Sequence, residues 1–315
     1  MSVIVPAFNE EDRLVGMLEE AVNYLEHEYG ILSEKADAAT EQNGTPIRRR
    51  PSGQTEINGH FPETSTNKSG LRGWEILLID DGSTDSTIQT ALAFARTHQL
   101  PLRPRRNSGP WSHRSDHAVN IPPGSIRLIS LRYNRGKGGA VTHGMRHARG
   151  SYVVFADADG ASKFDDLGRL VSACQKVKDP RKRGVAVGSR AHLVGSEAVV
   201  KRSKLRNFLM HSFHLLLKWM TPPCTAAIRD TQCGFKLFSR ASLPYIIPYM
   251  HCEGWIFDVE MLMLAEFAGI PVCEVPVGWR EVKGSKLNVL WDSLGMAWGL
   301  AVLRVCWMVG IYRRD

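Results

Sequence analysis

The stretch Phe155-Ala156-Asp157-Ala158-Asp159-Gly160 has the plainest chemical capacity in this sequence. Two carboxylates at i and i+2, at the end of an extended apolar run, can point the same way. Such a pair makes a hard oxygen site for Mg²⁺ or Mn²⁺. A metal there would neutralise a diphosphate leaving group. The plain alternative is a strand end followed by a helix cap, because Asp and Gly are common in turns. Asp157 and Asp159 are the expected metal ligands.

Five further segments carry chemistry-bearing residues. Asp80-Asp81-Gly82-Ser83-Thr84-Asp85 places carboxylates where they can accept hydrogen bonds from a base or a ribose; a capped turn explains them equally well. Asn134-Arg135-Gly136-Lys137-Gly138-Gly139 opens a helix expected from Ala140. Its glycines could let backbone N–H groups approach an anion, with Arg135 and Lys137 adding charge. It is not a Walker A sequence, and a basic glycine turn without a ligand remains open. Arg229-Asp230-Thr231-Gln232-Cys233-Gly234-Phe235-Lys236 shows neither helical nor strand period. It either binds something or is held by an internal Arg229–Asp230 salt link. In Phe257-Asp258-Val259-Glu260, Asp258 is a helix cap with Glu260 in the first turn, or takes a direct catalytic role. Trp279-Arg280-Glu281-Val282-Lys283-Gly284-Ser285-Lys286 could hold a phosphate through the three cations Arg280, Lys283 and Lys286 and the Ser285 hydroxyl, or be a basic surface loop.

These segments need a scaffold. Short β-branched runs at 2–6, 75–79, 126–131, 152–156 and 185–187 read as strands, with helical patterns between several of them. That alternation predicts an α/β domain with a mainly parallel sheet flanked by helices. In such sheets ligands bind beyond the carboxyl ends of the strands, where these motifs fall. Asn9 is expected to cap a helix with apolar positions Leu14, Leu18, Val22 and Leu25. Residues 33–70 and 101–123 lose apolar periodicity and are expected to be disordered insertions.

The 315 residues suffice for one large domain or two small ones, and the net charge of +8 suits an anionic partner or membrane face. The basic residues are spread among glycine loops and tails without a recognised nucleic-acid module, so nucleic acid is not an expected partner. Six cysteines without a CxxC pair suggest neither a zinc cluster nor a disulfide framework. There is no signal peptide: Met1 runs straight into a strand, and upstream sequence is expected to be missing.

Val5-Pro6-Ala7-Phe8-Asn9-Glu10, the Asp-Asp-Gly-Ser turn and the Asp-Ala-Asp strand end resemble family 2 of the inverting glycosyltransferases. Arg135 to Ala140, Ala156 to Ala161, Gly188-Ser189-Arg190-Ala191-His192, Arg229 to Phe238, Phe257 to Glu260 and Glu281 to Leu287 resemble its dolichyl-phosphate β-glucosyltransferase group, over nearly the whole chain outside the two polar insertions. The resemblance implies a GT-A fold, a Rossmann-like sheet domain over residues 1–286, with 287–315 as an interfacial helix and basic tail. It implies UDP-glucose as donor, dolichyl phosphate as acceptor, and a product made for N-glycan assembly at the endoplasmic reticulum membrane by a domain facing the cytosol. Carried over by motif, Pro6, Ala7, Asn9, Glu10, Asp80 and Asp81 would line the uridine site. Asp157 and Asp159 would bracket the metal and diphosphate, with Arg135 and Lys137 near the donor. The expected catalytic set is Asp157, Asp159, Arg229, Asp230 and Lys286. Arg229, Lys283, Ser285 and Lys286 are candidates for the acceptor phosphate. Family members carry a membrane helix before the first strand, which does not appear here, and residues 33–70 and 221–227 are longer than the family pattern.

An acceptor phosphate is already anionic and needs no general base, so no serine or histidine base is assigned; positioning and charge stabilisation would do the work. Residues 205–220 and 287–311 mix Leu, Trp and Phe with Lys and Arg, which suits a membrane interface, although buried core helices are the alternative. The competing expectations are a mannosyltransferase using GDP-mannose and a non-catalytic membrane-docking protein of the same fold.

Overall fold

The computed structural model describes residues 1–30, 73–102, 124–193, 212–213, 215–280, 282 and 289–313. The expected insertion 33–70 lies outside them, as does most of 101–123; the helix before the latter continues to Leu102.

Seven strands form one sheet: β1 (Ser2–Ala7), β2 (Glu75–Asp80), β3 (Ser125–Ser130), β4 (Tyr152–Ala156), β5 (Val185–Ser189), β6 (Phe235–Ser239) and β7 (Val272–Pro276), in the order β3-β2-β1-β4-β6-β5-β7. β1, β2, β3 and β4 run parallel, and β5 pairs parallel with β7. β6 runs antiparallel between β4 and β5. The five predicted strands are all present, as β1 to β5. β6 and β7 were not foreseen. β6 reads Phe-Lys-Leu-Phe-Ser, and a lysine inside a central strand hides the strand signal.

Helices α1 (Leu14–Tyr29), α2 (Thr87–Leu102), α3 (Gly136–Arg146) and α4 (Leu167–Val177) connect the strands in βα fashion. α1 buries Leu14, Leu18, Val22 and Leu25, the predicted stripe, against one face of the sheet. α3 packs on the other face, together with α6 (Phe257–Phe267). α6 buries nine consecutive residues from Phe257 to Ala265, as a helix enclosed on nearly every side does. The short α5 (Pro223–Ala227) precedes the 229–234 segment, and its Cys224 and Thr225 amides donate to the Glu266 carboxylate of α6.

The last helix, α7 (Val289–Met308), is packed into the domain on one side and bare on the other. Leu300 and Leu303 are buried among Phe213, Leu217, Ile256, Val259 and Met263. Leu294, Trp298, Val302, Val305 and Val309 recur at helical spacing and are all exposed. No helix among the described residues is long and apolar enough to cross a membrane.

Leu303 is 1% exposed. Leu303→Ala is expected to cost about 2–5 kcal/mol of unfolding free energy, measured by urea denaturation. A loss below about 0.5 kcal/mol, the range of surface substitutions, would mean that α7 is not an integral part of this core.

Candidate active site

The carboxyl ends of β1, β2 and β4 lie side by side, because these strands are neighbours in the sheet. The β1 end carries Pro6 and Ala7, then Asn9 and Glu10. Asn9 does not cap α1, whose first residue is preceded by Arg13 without a side-chain cap. It adopts a left-handed conformation, with φ 55°, and binds the turn after β2. The Asn9 amide donates to Ser83 Oγ at 2.9 Å, and the Thr84 amide donates to Asn9 Oδ1 at 2.8 Å. The Glu10 carboxylate accepts from the Arg13 guanidinium at 2.6 and 2.7 Å, and the Glu10 amide donates to Thr87 Oγ1.

Asp80 ends β2, Asp81 follows it, and both are buried. Asp80 accepts from Ser130 Oγ at 3.1 Å and from the Ser83 amide. Asp81 accepts the Arg135 amide at 2.7 Å. Burial pushes the Asp81 carboxyl up, with backbone donors opposing it.

The glycine turn is not an open phosphate cradle. The Gly138 and Gly139 amides donate to the Glu253 carbonyl at 2.7 and 3.3 Å, and the Gly136 amide donates to Asn134 Oδ1. The Arg135 side chain pairs with the Glu253 carboxylate. The glycines serve close packing: a Cβ on Gly138 would sit 2.5 Å from the Phe257 Cβ. The expectation overlooked Glu253, which lies over a hundred positions away in the sequence. What remains for chemistry is Lys137, whose ammonium lies 2.6 Å from Asp157 Oδ1. Burial works against its charge; Asp157 and then Asp258 outweigh that and raise its pKa.

Asp157 follows β4, and its amide donates to the Gly234 carbonyl ahead of β6. A Cβ on Gly234 would lie 1.9 Å from Asp157 Oδ2, so only glycine fits beside this carboxylate. Asp159 accepts the Ala161 amide at 2.9 Å. Burial and the neighbouring Asp157 push the Asp159 carboxyl up, the signature of a carboxylate pair short of positive charge. Among the described residues no third carboxylate, imidazole or thiol joins the pair in a closed cation cage. Two carboxylates, one already meeting a cation in Lys137, fit Mg²⁺ or Mn²⁺ with its remaining ligands supplied by phosphate oxygens and water.

Of the two readings of this segment, the internal salt link gives way to a longer-range one. Asp230 is held by Arg190, which follows β5, through Nε at 2.7 Å, Nη2 at 2.9 Å and its amide at 2.9 Å. The Arg190 guanidinium also faces the Trp279 ring. Asp230 is thus a clamp on the site wall, not a free acid or base. Burial pushes its carboxyl up, but Arg190 outweighs burial and brings it below the ordinary range. Arg229 is exposed beside Glu274, whose carboxylate accepts the amides of Arg229 and Asp230.

Asp258 is neither a cap nor open to solvent. It pairs with Lys236, which is 0% exposed, donates also to the Cys233 carbonyl at 2.7 Å and lies over the Phe155 ring. Glu260 is buried and accepts the His251 and Cys252 amides. Lys283, Ser285 and Lys286 lie outside the described residues; the chain reaches them from Arg280, whose Nε donates to the Gly160 carbonyl beside Asp159.

A nucleotide-binding type of sheet with a paired-carboxylate turn at its carboxyl edge is the arrangement of a GT-A glycosyltransferase. The chain belongs to glycosyl transferase family 2, whose sequence profile matches residues 64–243. It is 39% identical to the dolichyl-phosphate beta-glucosyltransferase of Saccharomyces cerevisiae, covering 99% of this chain and 76% of that protein. It is 34% identical to the Homo sapiens protein of the same name, covering 100% of this chain and 78% of that one. In fold it resembles the glucosyl-3-phosphoglycerate synthase of Mycobacterium tuberculosis solved with Mn²⁺, uridine-diphosphate and phosphoglyceric acid, with TM-score 0.53, 16% identity, and 97% and 76% of the two chains covered.

Two outcomes test this geometry. Gly234→Ala is expected to displace the Asp157 carboxylate and cost about 1–3 kcal/mol by overpacking, read from denaturant unfolding; unchanged stability would sink the close contact. Asp230→Asn addresses the Arg190 clamp. Because the Asp230 pKa is depressed in the folded protein, its contribution is fully present above the unfolded value of about 4 and is lost as pH falls through the lower folded value. The melting-temperature gap between the variant and the unaltered protein should be widest near pH 7 and narrow below about pH 4.

Proposed function

We infer that this glycosyltransferase takes glucose from UDP-glucose and transfers it with inversion to dolichyl phosphate, giving dolichyl β-D-glucosyl phosphate for N-glycan assembly. The observation that carries this reading is the near-full-length similarity to dolichyl-phosphate beta-glucosyltransferases of yeast and human. The paired carboxylates facing Lys137 supply a matching site. The same similarity speaks against the GDP-mannose alternative.

The residues at the β1 and β2 ends, Pro6, Ala7, Asn9, Glu10, Asp80 and Asp81, would line the uridine. Ser83 and Thr84, locked to Asn9, keep that rim in one shape. Asp157 and Asp159 would hold Mg²⁺ or Mn²⁺, which offsets the charge of the departing diphosphate. Lys137 adds a second positive charge at the same place, and Arg135 acts at a distance by holding the Glu253 loop. Arg229 with Lys283, Ser285 and Lys286 would receive the acceptor phosphate. That phosphate attacks the sugar C1 from the face opposite UDP. It arrives as an anion, so no side chain has to remove a proton; the protein's contribution is orientation and charge.

A lipid-linked acceptor calls for a membrane face close to this site. The bare stripe of α7 and the exposed Leu215 and Trp219 offer one, with Lys218, Arg304 and Arg313 at hand for anionic headgroups. α7 reaches the site wall through Met296, whose Sδ accepts from Gln232 Nε2. Placement on the cytosolic face of the endoplasmic reticulum follows from the acceptor under this reading.

The test is transfer of labelled sugar into the lipid phase from UDP-glucose or GDP-mannose, with dolichyl phosphate and Mn²⁺. Glucose should be transferred, and Asp159→Ala should lower the rate by about a hundredfold or more. Mannose transfer without glucose transfer would overturn the donor assignment, and full activity in Asp159→Ala would overturn the metal site.

A further inference from the structure

Lys137 occupies a position that a metal-binding site does not obviously need: its ammonium sits against the very carboxylate expected to take the divalent ion. The ion pair to Asp157 is 2.6 Å long, and the Lys137 side chain is only one-fifth exposed. Two cations cannot share one carboxylate without repulsion. A divalent ion entering alone therefore competes with Lys137 for Asp157.

The ammonium has somewhere to stay when that happens. The Asp258 carboxylate also acts on its charge, and the Lys137 Nζ faces the Trp255 ring at 5.9 Å. Asp258 itself is anchored from behind by Lys236, which the Cys233 carbonyl and the Phe155 ring hold in turn. The backbone bearing Lys137 is equally fixed to the segment bearing Asp258. The Gly138 amide donates to the Glu253 carbonyl at 2.7 Å, and the Gly138 Cα lies too close to Phe257 for any side chain. The backbone segments that carry Lys137 and Asp258 are thus fixed to one another.

We propose that Lys137 is a resident counter-cation of the metal site, displaced from Asp157 by the incoming divalent ion yet retained beside it by Asp258, and that the buried Lys236 is the positioning residue that keeps Asp258 in place. This rests on the reading of Asp157 as a metal and diphosphate ligand. The displaced ammonium is then free to meet the diphosphate. Metal and nucleotide consequently bind with positive coupling: each removes part of the other's cost, and the coupling is reciprocal. Without nucleotide, Lys137 acts as a competitor of the metal.

The measurement is titration of free Mn²⁺ by electron paramagnetic resonance, with and without uridine 5′-diphosphate. Lys137→Met and Lys137→Gln should bind Mn²⁺ alone roughly two- to fivefold more tightly than the unaltered protein, by removal of an ion pair of ordinary strength. In both variants the enhancement of Mn²⁺ binding by the nucleotide should shrink by at least the same factor. The double variant Lys236→Met/Asp258→Asn replaces the buried charges by a neutral pair, a change that such pairs often tolerate. It should fold, as read from its melting curve, and lose nucleotide enhancement without a gain in Mn²⁺ affinity. Unchanged binding of Mn²⁺ alone in both Lys137 variants would overturn the proposal, as would undiminished nucleotide enhancement in either Lys137 variant or in a folded double variant. Failure of the unaltered protein to bind Mn²⁺ even with uridine 5′-diphosphate would overturn the donor-site reading itself.

Discussion

An ammonium with no access to water must find its counter-charge inside the protein. Lys236 stands in the middle of a central strand, between β4 and β5, and meets that demand with the Asp258 carboxylate and the Cys233 carbonyl. Removing either partner would leave a bare charge in the interior, which costs about 3–5 kcal/mol. The pair therefore ties β6 to the first turn of α6. Through that tie the site wall at 229–234, the Glu253 loop and the glycine turn of α3 are brought to one place.

From this anchor the charges alternate outward: Lys236, Asp258, Lys137, Asp157. Each buried charge faces an opposite one, and the sequence ends on the Asp157/Asp159 pair, where negative charge is left in excess. A surplus of that kind would suit a divalent cation. Close backbone approach makes the alternation possible. Gly138 and Gly234 lie where any Cβ would collide with Phe257 or with the Asp157 carboxylate. The antiparallel β6 matters for the same reason, because its amino end, not its carboxyl end, meets the carboxyl end of β4.

The apolar helix α7 joins this framework from outside. Its inner side packs on Ile256, Val259 and Met263, residues that flank or follow Asp258, while its outer side carries uncovered Leu, Val and Trp. Uncovered apolar residues at regular spacing on a helix of a basic protein suit a partly apolar surface better than bulk water. Site and apolar face are thus two sides of one packed unit.

Much of this was legible in the residues themselves. The parallel strands β1 to β4 announce themselves through short β-branched runs, the α1 stripe through helical spacing, and the Asp157/Asp159 pair through its place after an apolar strand. These are local signals: period and neighbouring residue types suffice to read them. The partners of the charged residues were not legible. Asp230 pairs with Arg190 instead of its neighbour Arg229, Arg135 with Glu253, and Lys236 with Asp258. The glycine turn looked like an anion cradle because nothing local shows that the Glu253 carbonyl fills it. β6 escaped notice because a strand with a buried lysine makes sense only once its carboxylate is known. Sequence alone determined which groups exist and where along each strand they fall, because those follow from local periodicity. Tertiary structure decided which charges are spent on one another and which remain for a ligand, because pairing depends on distances that only the packed chain defines.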